Sequence, residues 1–180
     1  MVIIMKSAIY GEKLIAEYKR GAYTFELVDC PEILWCGALG YAPNHTDEPD
    51  IDGLLARYQK LCDIEKNGRC MEDWSGCISI NYMRSDLPCG MMFMQQVDTD
   101  VQSDEYDLYK TPATQYFRLA CTPETARAAF DKDECGVWEL FGVIKDFMSE
   151  VGYEFDDRAS EIEMYGPDAA YAYVPSRRSK

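Results

Sequence analysis

The chain has 180 residues, is 47% hydrophobic and carries a net charge of −14. It is long enough to bury a core, as one domain or two small fused modules, and too apolar for a disordered polymer. A surface this acidic repels phosphate backbones, so no direct nucleic-acid partner is expected, and no run of about 18 apolar residues marks a membrane span.

Eight cysteines stand at 30, 36, 62, 70, 77, 89, 121 and 135, with no Cys-x-x-Cys, and His45 is the single histidine. A zinc site needs clustered Cys and His at short spacing, so neither a metal nor a cofactor is expected. The opening Met1–Met5 is too short for the apolar region of a signal peptide. The cysteines therefore read as reduced and mostly buried in a cytoplasmic protein. No phosphate loop, dinucleotide fingerprint or Ser-His-Asp set is present.

Residues 1–20 form an N-terminal extension, in which Lys13–Lys19 reads equally as a short helix or a strand. Tyr23–Asp29 alternates in the strand period, Cys30-Pro31-Glu32 turns it, and Ile33–Tyr41 continues extended, with Gly37 and Gly40 marking a bulge or a close approach. Ile51, Leu54, Leu55, Tyr58, Leu61 and Cys62 recur at helical spacing behind Pro49-Asp50. Gly76–Met83 and Cys89–Val97 read as a hairpin about Arg84–Pro88. Asp98–Asp107, with five acidic residues, reads as a solvated loop.

The order then recurs. Thr114–Cys121 is a strand, and Thr122-Pro123 starts a helix with Thr at the N-cap and Pro at N1. The helix is broken near Asp131–Gly136 and resumes through Met148 to Gly152. Ser160–Tyr165 and Ala170–Val174 close the chain as a hairpin about Gly166-Pro167-Asp168. The fold class is α+β: two β-α-β-β modules, about 21–97 and about 108–176, in a pseudo-twofold arrangement. The expected result is one antiparallel sheet with both helices on one face. A central groove is expected on the opposite face, at the seam.

The most informative stretch is S-E-I-E-M-Y at 160–165. Side chains alternate along a strand, so if Ile162 and Met164 enter a core, Glu161, Glu163 and Tyr165 share the other face. A carboxylate beside a phenol on an aromatic-bounded face can receive a flat, greasy cation. The plain alternative is a solvated carboxylate on an edge strand. Trp138 reads as core or pocket wall, and Tyr82, Phe93 and Tyr116 sit on strands flanking the seam, facing the groove or not according to register. Met91, Met92 and Met94 suit an adaptable lining or core filling, and Trp35 reads as core.

Phe25–Tyr41, Ile51–Leu61, Tyr82–Phe93, W-E-L-F-G-V-I-K-D-F-M-S-E-V-G-Y at 138–153, I-E-M-Y at 162–165 and Y-V-P at 173–175 together resemble the GyrI-like, or AraC-type, bacterial effector-binding domains. The resemblance covers residues 21–176. It implies a groove that binds lipophilic, often cationic or aromatic molecules, with Glu163 as counter-charge and Tyr165, Trp138, Tyr116, Tyr82 and Phe93 as ligand-binding candidates. It also implies two alternatives. One is a hydrolase of strained, cyclopropane-bearing compounds, with Glu163 as the catalytic group that activates water. The other is a protein-interaction module of the gyrase-inhibitor type. Some relatives serve transcription regulation behind a DNA-binding domain. Only about twenty residues precede the domain here, so a stand-alone binding module without a DNA reader is the first expectation.

Overall fold

A computed structural model describes residues 7–44 and 46–180; the opening Met1–Met5 and the loop histidine His45 lie outside the described residues. The elements in chain order are β1 (Lys13–Arg20), β2 (Tyr23–Cys30), β3 (Ile33–Tyr41), α1 (Ile51–Leu61), β4 (Ser75–Ile80), β5 (Gly90–Val97), β6 (Asp107–Thr111) and β7 (Thr114–Ala120). There follow α2 (Pro123–Phe130), a 3-10 turn (Val137–Glu139), α3 (Leu140–Glu150), β8 (Tyr153–Phe155), β9 (Glu161–Tyr165) and β10 (Ala170–Arg178). Among the described residues no helix is long and apolar enough to cross a membrane.

All ten strands join one antiparallel sheet in the order β1-β2-β7-β10-β9-β4-β5-β3-β6, with β8 on the end of β10. The order is α+β and nearly symmetric about the β4·β9 pair. In the first half β3 is followed by α1 and the β4–β5 hairpin, and in the second β7 is followed by α2, α3 and the β9–β10 hairpin. The lead strands are exchanged, β2 pairing with β7 and β6 with β3.

That exchange bends the sheet. β2 and β3 lie six strand spacings apart, about 29 Å if the sheet were flat. Yet only Pro31-Glu32 joins them, and three residues reach about 10 Å. Pro112-Ala113 joins β6 to β7 in the same way. The sheet must therefore curl until its ends meet. Its inner face closes on a core that draws Val28, Trp35, Ile78, Met92, Tyr116, Ile162 and Tyr173 from strands far apart in the order.

The outer face carries the helices. α3 packs Leu140, Ile144 and Phe147 over Phe25, Phe117 and Val174, with Phe25 and Phe147 stacked at 4.0 Å. α1 sets Leu54 and Leu61 on Cys36 and Ala38, and Gly40 admits Leu54 because any Cβ there would meet its methyls at 2.8 Å. Thr122 and Thr125 cap α2 reciprocally, and Asp131, in the left-handed region at φ 55°, ends it.

Residues 13–20, open between helix and strand in the sequence, are a strand of the sheet. Three details differ from the sequence reading. β6 starts at Asp107, whose carboxylate is spent inside the fold, accepting from the Leu39 amide at 2.8 Å and from Arg57 at 2.6 Å. β4 stops at Ile80 because Asn81 takes a positive φ of 60°, so Tyr82 is a loop residue. The groove opens on the helical face, between α1 and α3, since the opposite face is consumed by the closed core.

One end of that core is polar. The Arg118 guanidinium lies 2.6 Å from Glu12 and 2.7 Å from Glu26, all three buried, and Tyr173 donates to Glu12 at 2.9 Å. Arg118→Met would leave two buried carboxylates without a cation. The expected loss is about 3–5 kcal/mol of unfolding free energy in urea titration. A loss below about 1 kcal/mol would show that the carboxylates simply take up protons.

Candidate functional site

The site is built on β9. Ile162 and Met164 are fully buried in the inner core, so Glu161, Glu163 and Tyr165 face outward, under the gap between the helices. Antiparallel register aligns the rows. Glu163 lies opposite Cys77, and Cys77 opposite Phe93; Glu161 lies opposite Ser79, and Ser79 opposite Met91; Tyr165 lies opposite Ser75. β4 thus presents only small side chains between long ones on both neighbours, and that difference in size hollows the sheet surface.

The hollow has a volume of about 820 Å³, within the span usual for small-molecule sites. Ile51, Leu55 and Tyr58 of α1 form one wall at i, i+4 and i+7, while Trp138 and Phe141 form the other. Tyr82, Met91 and Phe93 close the side, and Glu48 stands at the mouth. Ile51, Leu55, Tyr82 and Trp138 are large and solvent-exposed, Trp138 at 62%, and all four gather around this one concavity.

Among the described residues, three carboxylates and no lysine or arginine line the hollow. Glu161 is held by Lys145 at 2.6 Å, an ion pair rather than an aligned hydrogen bond. Glu163, only 8% exposed, has no ion-pair partner among the described residues and accepts a hydrogen bond from the Tyr165 hydroxyl. Burial pushes its pKa up, the Tyr165 bond opposes this, the neighbouring Glu161 charge adds to it, and a backbone hydrogen bond at Trp138 opposes it again. Burial and the nearby Glu163 also push the Cys77 thiol up, so it stays protonated. Among the described residues no group of three His, Cys, Asp or Glu side chains is placed to hold a metal ion.

Of the sequence candidates, Glu163, Tyr165, Trp138, Tyr82 and Phe93 come together here. Tyr116 does not. It is fully buried in the inner core, because Phe117 takes the outward position on β7 and strand parity turns Tyr116 away. Met91 lines the hollow, whereas Met92, Met94 and Trp35 fill the core. Sequence reasoning missed Glu48, Tyr58, Cys77 and Phe141. The apolar stripe of α1, wider than one sheet contact needs, was the available signal.

No protein-family model and no curated protein sequence matches the chain. Solved structures do. An integron cassette protein from the mobile metagenome of Vibrio cholerae is 9% identical over 93% of this chain and 99% of its own, with a TM-score of 0.53. The EcmrR C-terminal domain is 11% identical, covering 87% and 98%, with a TM-score of 0.57. SAV2435 bound to tetraphenylphosphonium is 13% identical, covering 85% and 93%, with a TM-score of 0.55. At these identities the likeness concerns the fold alone.

The buried carboxylate should cost the ligand-free protein stability. A glutamate whose folded-state pKa is raised contributes stability below its unfolded pKa and loses it as pH rises through the folded one. Glu163→Gln should therefore raise the Tm of the ligand-free protein at pH 7, and the gain should shrink on acidification toward pH 4. Thermal scans at both pH values check this, and a lower Tm at pH 7 would contradict it.

Proposed function

We propose that the protein is a small-molecule-binding domain that takes up lipophilic cations, with Glu163 as counter-charge. The observation that carries this reading is a buried carboxylate, without a cation partner among the described residues, on the floor of an aromatic-walled hollow. An ion in that position is poorly solvated, and a cation seated against it regains Coulomb energy that water would screen. Trp138, Tyr82, Phe93 and Tyr58 offer ring faces to the apolar body of such a ligand and to its charge. The Tyr165 hydroxyl orients the carboxylate and prevents its free rotation. That SAV2435, with a similar fold, is bound to tetraphenylphosphonium supports the ligand class. EcmrR, whose C-terminal domain shares the fold, forms a complex with DNA, and it supports a role in which ligand uptake is reported to a transcription regulator.

Calorimetry with tetraphenylphosphonium and a rhodamine-type cation tests the reading. The parent should bind both, Glu163→Gln should lose at least about tenfold in affinity, equivalent to about 1.4 kcal/mol, and Trp138→Ala should lose a comparable amount through contact area. Equal affinity of Glu163→Gln and parent would remove the counter-charge role. The hydrolase alternative uses the same glutamate as base. Incubation with a cyclopropane-bearing alkylator and mass spectrometry separates the two: an unaltered compound supports binding, and a water adduct formed by the parent but not by Glu163→Gln supports hydrolysis.

A further inference from the structure

We propose that Cys121 and Cys135 form a thiol–disulfide modification site whose closure fixes the segment that carries Trp138 against the end of β7. Cys121 directly follows β7, and Cys135 lies in the irregular connection between α2 and the 3-10 turn. Their sulfurs are 3.6 Å apart, and the Cys121 thiol points at the Cys135 carbonyl oxygen at 3.5 Å. Both residues are partly open to solvent. A disulfide is about 2.05 Å long, so closure needs an approach of roughly 1.5 Å, which a connection without strand or helix pairing can supply.

The connection transmits the movement. The Gly136 amide donates to Glu139 at 2.7 Å, and Lys132 holds the same carboxylate at 2.7 Å, so residues 132–139 behave as one clasp. The Trp138 indole lies on Gly136 so closely that a Cβ there would sit 2.5 Å from Nε1. Drawing Cys135 toward β7 therefore shifts the wall of the hollow. The chemistry is ordinary exchange with a low-molecular-weight disulfide. Burial and the contact with Cys135 push the Cys121 thiol up to about 12. Cys135, carried by the irregular connection, meets the oxidant. It loses its proton, joins one sulfur of the oxidant and releases the other as a thiol. Cys121 then gives up its proton, attacks the Cys135 sulfur and releases the second thiol. Two protein thiols become one disulfide, and one small disulfide becomes two thiols.

Only the effect on affinity rests on the ligand-binding reading; the bond and the Trp138 shift stand apart from it. The full chain is treated with excess oxidised glutathione. Tryptic peptides 119–127 and 133–145 should then appear joined, two hydrogens lighter than their sum. Trp35 and Trp74 are buried and Trp138 is exposed, so a change in tryptophan emission reports its wall position. Closing a loop of this length should raise Tm by about 5–10 °C, and a rigidified wall should tighten rhodamine binding several-fold. Cys121→Ser and Cys135→Ser should each abolish the link and the emission change while remaining folded. The proposal is overturned if both thiols stay alkylatable under the oxidant, if either serine variant keeps the emission change, or if the link forms with emission and affinity unaltered. If neither redox form binds dye, the ligand reading fails, while the linked peptide and the emission change still support the switch.

Discussion

The molecule depends on the alternation of five residues. β9 is paired on both sides, with β4 and β10, and its two apolar side chains are locked into a closed core. That pins the register, since a slip of one residue would drive Glu161 and Glu163 into the core and expel Ile162 and Met164. The position of the carboxylates is thus enforced by packing on the other face of the sheet. The chain sets a charged group in a nearly dry place by making every alternative placement worse.

The pseudo-twofold explains where that place is. The β4·β9 pair is the axis, and α1 and α3 lie on either side of it, so the uncovered strip of the outer face runs between them. About the axis, Cys77-Ile78-Ser79 answers Glu161-Ile162-Glu163. The apolar centre is kept in both halves, while the flanking positions diverge, small on one strand and acidic on the other. One half provides depth, and the other provides charge. Lys145 neutralises Glu161, and among the described residues Glu163 is the carboxylate of β9 left without a cation.

Much of this was legible in the sequence, and the failures share causes. The Ile162/Met164 alternation, the Thr122-Pro123 helix start and the hairpins rest on local rules and stand as expected. Tyr116 shows where local rules end. Its strand was plain, but which face it serves depends on pairing with β2 and β10, which no short pattern encodes. The face of the groove failed for a related reason: the exchange of β2 and β6 is long-range, and only that exchange closes the inner face. β6 and β8 are five and three residues long, too brief for a strand period to show, and Asp107 looks solvated until its partners Leu39 and Arg57 are known. The α1 stripe is a single helical pattern in the sequence, and in the structure it divides, Leu54 and Leu61 against the sheet and Ile51, Leu55 and Tyr58 toward the hollow.

The Glu163 carboxylate sits poorly solvated, with no cation partner among the described residues. NMR titration of its carboxyl carbon, with and without saturating tetraphenylphosphonium, measures this directly. The midpoint should lie above the ordinary glutamate value of about 4.3 in the free protein and fall clearly once the cation is bound. An ordinary midpoint that the cation leaves unmoved would contradict this.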